Sequence, residues 1–202
     1  WNWWHWKRNS FISDKVKDIA VNVVMENSDE DPGFMSVIFN KTENKDGTLN
    51  FIALGYNAKN SGGNAKIACT YYKNVDTADF KEANFGRSGT DCKEIFAGDW
   101  FYSNITPDDE GKLNVGFVIT AQEGDTPYKV GIYKNKTAEQ LDGIKDGTIL
   151  ADAEKEFIIT NEVLGRTETG KIDAGIGFYA SVYEGKTLKG EWQVADITFN
   201  PD

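Results

Sequence analysis

The sequence predicts an all-β fold, a sandwich or barrel of about ten strands. Three observations point there. Apolar and polar residues alternate with period two in many separate segments. Clusters rich in Gly, Asn, Asp and Pro punctuate those segments, as turns do. Aromatic residues make up 13% of the 202 positions, against only four prolines and two methionines, a balance that suits broad rings packed on pleated surfaces.

Taken in chain order, "KDIAVNVVM" puts Ile19, Val21, Val23 and Met25 on one strand face. "FMSVIF" separates Met35, Val37 and Phe39 from Phe34, Ser36 and Ile38. "LNFIALGY", residues 49 to 56, is apolar on both faces and reads as a central strand. "KIACTYY" follows, and "KLNVGFVIT" aligns Leu113, Val115, Phe117 and Ile119. "YKVGIYK", "EKEFIIT", "DAGIGFYASVY" and "GEWQVADITF" complete the strands, with "ENSDEDPG", "NKTENKDG", "NAKNSGGN", "TPDDEG" and "QEGDTP" as turns. One short helix is expected over "KTAEQLDGI", residues 136 to 144, with Thr137 as N-cap, crossing a sheet edge. Neither a linker nor an internal repeat divides the chain. Residues 1–202 therefore read as a single β-sandwich domain, expected to be a module of a longer protein because it starts abruptly on Trp1.

A net charge of −10 argues against nucleic acid as a partner, since phosphate binding needs clustered Lys and Arg. No apolar run is long enough for a membrane span. Cys69 and Cys92 are spaced to close one disulfide loop, which would contribute about 3 kcal/mol. Sequons at Asn40, Asn104 and Asn135 fit a secreted or cell-surface location.

Two stretches carry a family resemblance. "GKIDAGIGFYASVYEGKTLKGEWQVADITF", residues 170 to 199, resembles the closing strands of concanavalin A-like jelly-roll domains. "WNWWH", through Trp1, Trp3 and His5, is similar to the Trp-x-Trp-x-His start of the β-sandwich domain appended to family 43 glycosidases. Between them, "GFMSVIFNKTENKDGTLNFIALGY" is similar to the paired strands that follow in such domains. The resemblance covers about half the chain and does not extend over residues 74 to 165. It implies a two-sheet antiparallel jelly-roll β-sandwich in a carbohydrate-active setting, often as a binding module.

Four of the six tryptophans lie within the first six residues. On a strand, Trp4 and Trp6 would face one side and Trp1, Trp3 and His5 the other. Such rings either close a core or stack on the flat C–H face of a sugar. "AGDWFYSN" offers a second platform, with Trp100 and Tyr102 on one face and Asp99, Ser103 and Asn104 at the rim. Trp1, Trp3, Trp100 and Tyr102 are thus the ligand-binding candidates, with a polysaccharide or oligosaccharide as partner. Tyr71, Tyr72, Tyr179 and Tyr183 are placed to line either sheet face, whereas Trp192 alternates with Val194 as a core residue would.

Asp29 and Asp31 in "ENSDEDPG" are the metal candidates, because oxygen-rich loops suit Ca²⁺ as a structural ion. Asp108, Asp109 and Glu110 form a similar cluster, and neither has the spacing of an EF-hand loop. A single histidine and two cysteines disfavour zinc. A glycosidase needs two carboxylates about 5–5.5 Å apart for retention, or farther for inversion. The strand-borne acids Glu156, Glu191 and Asp196 stand isolated, and no Glu-x-Asp-x-x-Glu strand occurs. The expectation is therefore a non-catalytic carbohydrate-binding module. The alternatives are a jelly-roll glycoside hydrolase or polysaccharide lyase, and a cell-surface adhesion or structural domain.

Overall fold

The computed structural model describes residues 6–26, 33–61, 64–75, 93–94, 101–102, 106–122, 124–166, 174–182 and 185–199. In chain order the strands are β1 (Trp6–Glu26), β2 (Gly33–Glu43), β3 (Leu49–Ser61), β4 (Asn64–Val75), β5 (Lys93–Glu94), β6 (Phe101–Tyr102), β7 (Lys112–Ala121) and β8 (Tyr128–Lys134). Helix α1 (Ala138–Asp146), β9 (Lys155–Ile159), α2 (Asn161–Leu164), β10 (Ala174–Val182) and β11 (Gly190–Phe199) follow. Among the described residues every strand pairing is antiparallel.

The strands form two sheets that share β1. Its N-terminal part pairs with β10, which continues through β2 and β3 to β4, and both β5 and β6 pair with β4. Its C-terminal part runs between β11 and β7, and the sheet continues through β8 to β9. The change of partner falls at Val16, which pairs with both Ala174 and Phe199. Register shifts surround that point, between Phe11 and Ser13, Ser13 and Val16, and Val16 and Asp18. Such irregularities bend a strand and sharpen its twist, so one 21-residue strand can serve two sheets.

The period-two pattern decides which side chains meet. Ile19, Val21, Val23 and Met25 of β1 share one core with Met35, Val37 and Phe39 of β2 and with Leu113, Val115, Phe117 and Ile119 of β7. Ile52 and Leu54 of β3, and Val130 and Ile132 of β8, join them. Burying each such side chain contributes about 1.5–3 kcal/mol. Because both sheets supply this one core, a charge at Val21, which is fully buried, would disrupt the whole fold.

The first sheet is also buried on its other face. There Phe34, Ile38, Phe51, Ala53, Tyr72 and Tyr179 form a second cluster. The Phe51 and Tyr72 rings stack with centroids 5.4 Å apart. Burial on both faces explains why β3 reads as a continuous apolar run.

The outer face of the second sheet is covered in part by α1. Leu141 and Ile144 pack there against Ala20, Val118 and Tyr133. Leu141 sits so close to Gly116 that a Cβ at that position would lie 2.5 Å from a Leu141 methyl group. Thr137 caps α1 in a full capping box: its hydroxyl accepts from the Gln140 N–H, and the Gln140 carboxamide accepts from the Thr137 N–H. Gly147 in left-handed geometry closes the other end.

Two sequence expectations are corrected here. Among the described residues there are two helices, not one: α2 is a single turn capped by the Thr160 hydroxyl and by left-handed Gly165. The expected helix lies across the face of a sheet and not over its edge, because Gly116 leaves room for Leu141. Trp192 is half-buried against the main core, with its ring 5.6 Å from Phe178.

Candidate functional site

Of the residues that the sequence offers as binding candidates, Trp1, Trp3 and Trp100 lie outside the described residues. So do Asp29 and Asp31, the metal candidates. Tyr102 is described by its backbone alone, which pairs with Lys66 at the margin of the first sheet. The expected bridge between Cys69 and Cys92 is not seen. Cys69 is a buried free thiol on β4, and Cys92 lies outside the described residues.

Three of the four tyrosines expected to line the sheet faces do so, Tyr71 on one face of the first sheet and Tyr72 and Tyr179 on the other. Tyr71, Tyr72 and Tyr179 are buried in the two cores of the first sheet, and Tyr183 lies outside the described residues. The exposed large apolar side chains among the described residues are Ile149, Leu150, Ile158 and Val194, none of them aromatic. Tyr71 reaches the Leu164 carbonyl with its hydroxyl at 3.4 Å, which fastens α2 to the core.

What the structure brings together lies on the outer face of the second sheet, beside α1. A cleft of about 370 Å³ is lined by Asp18, Thr120, Gln122, Lys129, Tyr133 and Glu156, with Lys145 of α1 at its side. Strand alternation puts these residues there. On β8, Val130 and Ile132 enter the core, so Lys129, Gly131 and Tyr133 turn outward. Glu156 reaches the same face from the neighbouring β9. Tyr133 lies back over Gly131, where an added Cβ would be 2.7 Å from the ring, so only glycine allows this pose. Tyr133 is only 7% exposed. It therefore forms a floor and not a stacking plate. Burial pushes its phenol pKa up, and the charge of Glu156 adds to the effect.

Opposite charges alternate around the cleft. Lys129 Nζ is 3.3 Å from Glu156 Oε2. Asp18 Oδ1 accepts the Ala121 N–H at 2.8 Å, and its other oxygen lies 3.8 Å from Lys17 Nζ. Gln122 donates to Thr120 Oγ1 and to the Ala121 carbonyl, both at 3.2 Å. Lys145 is held by Asp196 at 2.8 Å and by Thr198 at 2.9 Å. That ammonium hydrogen bond, with its charge, draws the Asp196 carboxyl below its usual range.

A second polar feature crosses the same sheet. Asn22 on β1 donates to Gln193 on β11 at 3.2 Å and to Asn114 on β7 at 3.5 Å. Gln193 in turn donates to Glu191 at 2.8 Å. Asn22 is only 2% exposed, and its side-chain carbonyl oxygen has no hydrogen-bond partner among the described residues.

Among the described residues, no group of three or more His, Cys, Asp or Glu is arranged to hold a metal ion. The acidic "TPDDEG" loop instead folds on itself. Asp108 Oδ1 accepts the N–H groups of Glu110 and Lys112, each at 2.9 Å, and Lys112 pairs with Glu110 at 3.2 Å. These hydrogen bonds hold the Asp108 pKa down, chiefly the one from the Lys112 backbone.

Sequence reasoning passed over Lys129, Gln122 and Tyr133, and met Glu156 only as an isolated strand acid. The available signal was the outward trio of "YKVGIY", in which a glycine separates a lysine from a tyrosine on one strand face. No protein-family model matches this chain, and no curated protein matches it. Among the described residues, no helix is long and apolar enough to cross a membrane.

Proposed function

We propose that this chain is a non-catalytic carbohydrate-binding module of a secreted or cell-surface protein, folded as a jelly-roll sandwich of the concanavalin A-like kind. The observation that carries the reading is the cleft beside α1. Thr120, Gln122, Lys129, Tyr133 and Glu156 line it with donors and acceptors on a rigid sheet. Every sugar hydroxyl both donates and accepts, so a wall that mixes amide, ammonium, carboxylate and hydroxyl suits an oligosaccharide segment better than an apolar ligand. The balanced charge around the cleft favours a neutral glycan.

In this reading the hydrogen-bonding cleft selects hydroxyl orientation. Stacking would come from Trp1, Trp3, Trp100 and Tyr102. Titration calorimetry with a panel of soluble neutral polysaccharides tests it. One glycan should bind, and Lys129→Ala should weaken that binding about tenfold, the equivalent of one charged hydrogen bond. Gln122→Ala should weaken it less. Binding that neither variant alters would remove the cleft from the site.

A second reading is favoured by one observation: Asp18 and Glu156 line the same cleft, as the acids of a glycoside hydrolase would. Against it, each already has a partner. Glu156 pairs with Lys129 and Asp18 holds the Ala121 N–H. Release of reducing ends from the bound glycan, abolished in both Asp18→Asn and Glu156→Gln, would establish the enzyme. Binding without release keeps the module.

A further inference from the structure

The tripeptide Asn-Lys-Thr occurs at Asn40 and again at Asn135. The two copies are alike in backbone as well as in sequence: both asparagines are left-handed, with φ of 54° and 51°. Their surroundings are opposite. Asn40 sits at the irregular register of β2 against β3 and is only 5% exposed. Its carbonyl oxygen accepts from the Tyr128 hydroxyl at 3.5 Å, and the Tyr128 ring meets Phe39 edge-on at 5.3 Å. Thr42, the third residue of that copy, accepts from the Asn50 carboxamide at 3.3 Å. Asn135 is exposed in the turn between β8 and α1, anchored through its backbone N–H to the Asn114 carbonyl at 3.3 Å.

We propose that Asn135 is an acceptor site for an N-linked oligosaccharide and that Asn40 is not; its natural use rests on the extracellular reading above. The donor class is a lipid-linked oligosaccharyl pyrophosphate. The Asn135 carboxamide nitrogen bonds to the anomeric carbon, and the bond from that carbon to the pyrophosphate oxygen breaks. The lipid pyrophosphate leaves with the bonding electrons, and one amide proton passes to a base of the transferring enzyme. The same acceptor chemistry exists at Asn40, so the fold makes the difference. In the folded chain the Thr137 hydroxyl accepts the Gln140 N–H, which leaves its O–H free to donate. A glycan on Asn135 projects from an exposed turn. A glycan on Asn40 would have to occupy the buried space beside Phe39 and Tyr128, and chains carrying it would not fold.

The test is secretion of the full chain behind a cleavable leader from a eukaryotic host, with Asn104→Gln to silence the third sequon. Intact mass and glycopeptide mapping of the soluble product then read both sites at once. The expected product carries one glycan, on Asn135, and loses it in Asn135→Gln. A glycan on Asn40 in folded secreted protein, or a bare Asn135, would overturn the assignment. Glycosylation at Asn135 in the host combined with a bare Asn135 in protein from its native cells would support the site geometry and overturn the extracellular reading instead.

Discussion

Lys145 Nζ lies 2.8 Å from Asp196 Oδ2, so an ion pair ties the last turn of α1 to β11. The lysine side chain is only 7% exposed while the aspartate is about half exposed at 47%. Thr198 takes a second hydrogen bond from the same ammonium group. This contact sets the wall of the cleft, because Lys145 also lines it.

Replacing Lys145 with Ala should lower stability by about 2 kcal/mol, through the lost charged hydrogen bonds and the packing of the lysine stem. Thermal melts should show a drop of roughly 4–8 °C. The Asp196 pKa is depressed in the folded chain. Its contribution is therefore complete above the ordinary carboxylate value of about 3.9 and is lost as pH falls through the lower folded value. The gap between parent and variant should narrow only in acid, and by a small amount since Asp196 is half solvated. An unchanged melt at neutral pH would show that the pair does not hold α1.

Gly116→Ala should destabilise by about 1–3 kcal/mol, since the new Cβ would overlap Leu141. Leu141→Ala alone should cost about 2–5 kcal/mol, as that side chain is fully buried. The double variant should be clearly less unstable than the sum of the two, because the smaller residue makes room for the added methyl. Additive losses in denaturant titrations would mean that the two residues do not touch.

Tyr56 is fully buried and its hydroxyl has no hydrogen-bond partner among the described residues. Tyr56→Phe should therefore be neutral or stabilising by about 1 kcal/mol. Burial also raises the Tyr56 phenol pKa strongly, so the unfolded chain ionises first. Stability from this group is full below about pH 10 and falls as pH rises beyond it. The alkaline limb of the stability profile should be shallower in Tyr56→Phe than in the parent. A steeper limb, or a loss of stability at pH 7, would contradict the burial of that hydroxyl.

Cys69 should react with a thiol reagent only when the chain opens. Its side chain is buried on β4, and burial raises its pKa, so little thiolate is present or accessible. Mass-mapped labelling of Cys69 should be slow in buffer and complete in denaturant. Rapid labelling in buffer would place the thiol at the surface.

How much the sequence disclosed depended on local periodicity. The alternation at Ile19 to Met25, at Met35 to Phe39 and at Leu113 to Ile119 assigned the correct residues to one core, because one slip of register would expose them all. Thr137 was legible as a cap because hydroxyl capping is a local matter. The turn α2 was not, since four residues hold too little pattern to separate from the strand before it. The cleft was hidden for a different reason. Lys129, Tyr133 and Glu156 meet only when β8 and β9 pair and α1 covers part of their sheet, and no spacing in the chain encodes that meeting. The aromatic content suggested a stacking surface, yet Tyr72 and Tyr179 are spent on the second apolar face of the first sheet.

The most direct test of the proposed glycan cleft is amide hydrogen exchange of the protein saturated with its tightest-binding polysaccharide, compared with the protein alone. The account predicts slower exchange in Tyr128–Lys134 and Lys155–Ile159, the strands that carry Lys129, Tyr133 and Glu156. Protection confined to the tryptophan-rich N-terminal segment, with those two strands unchanged, would contradict it.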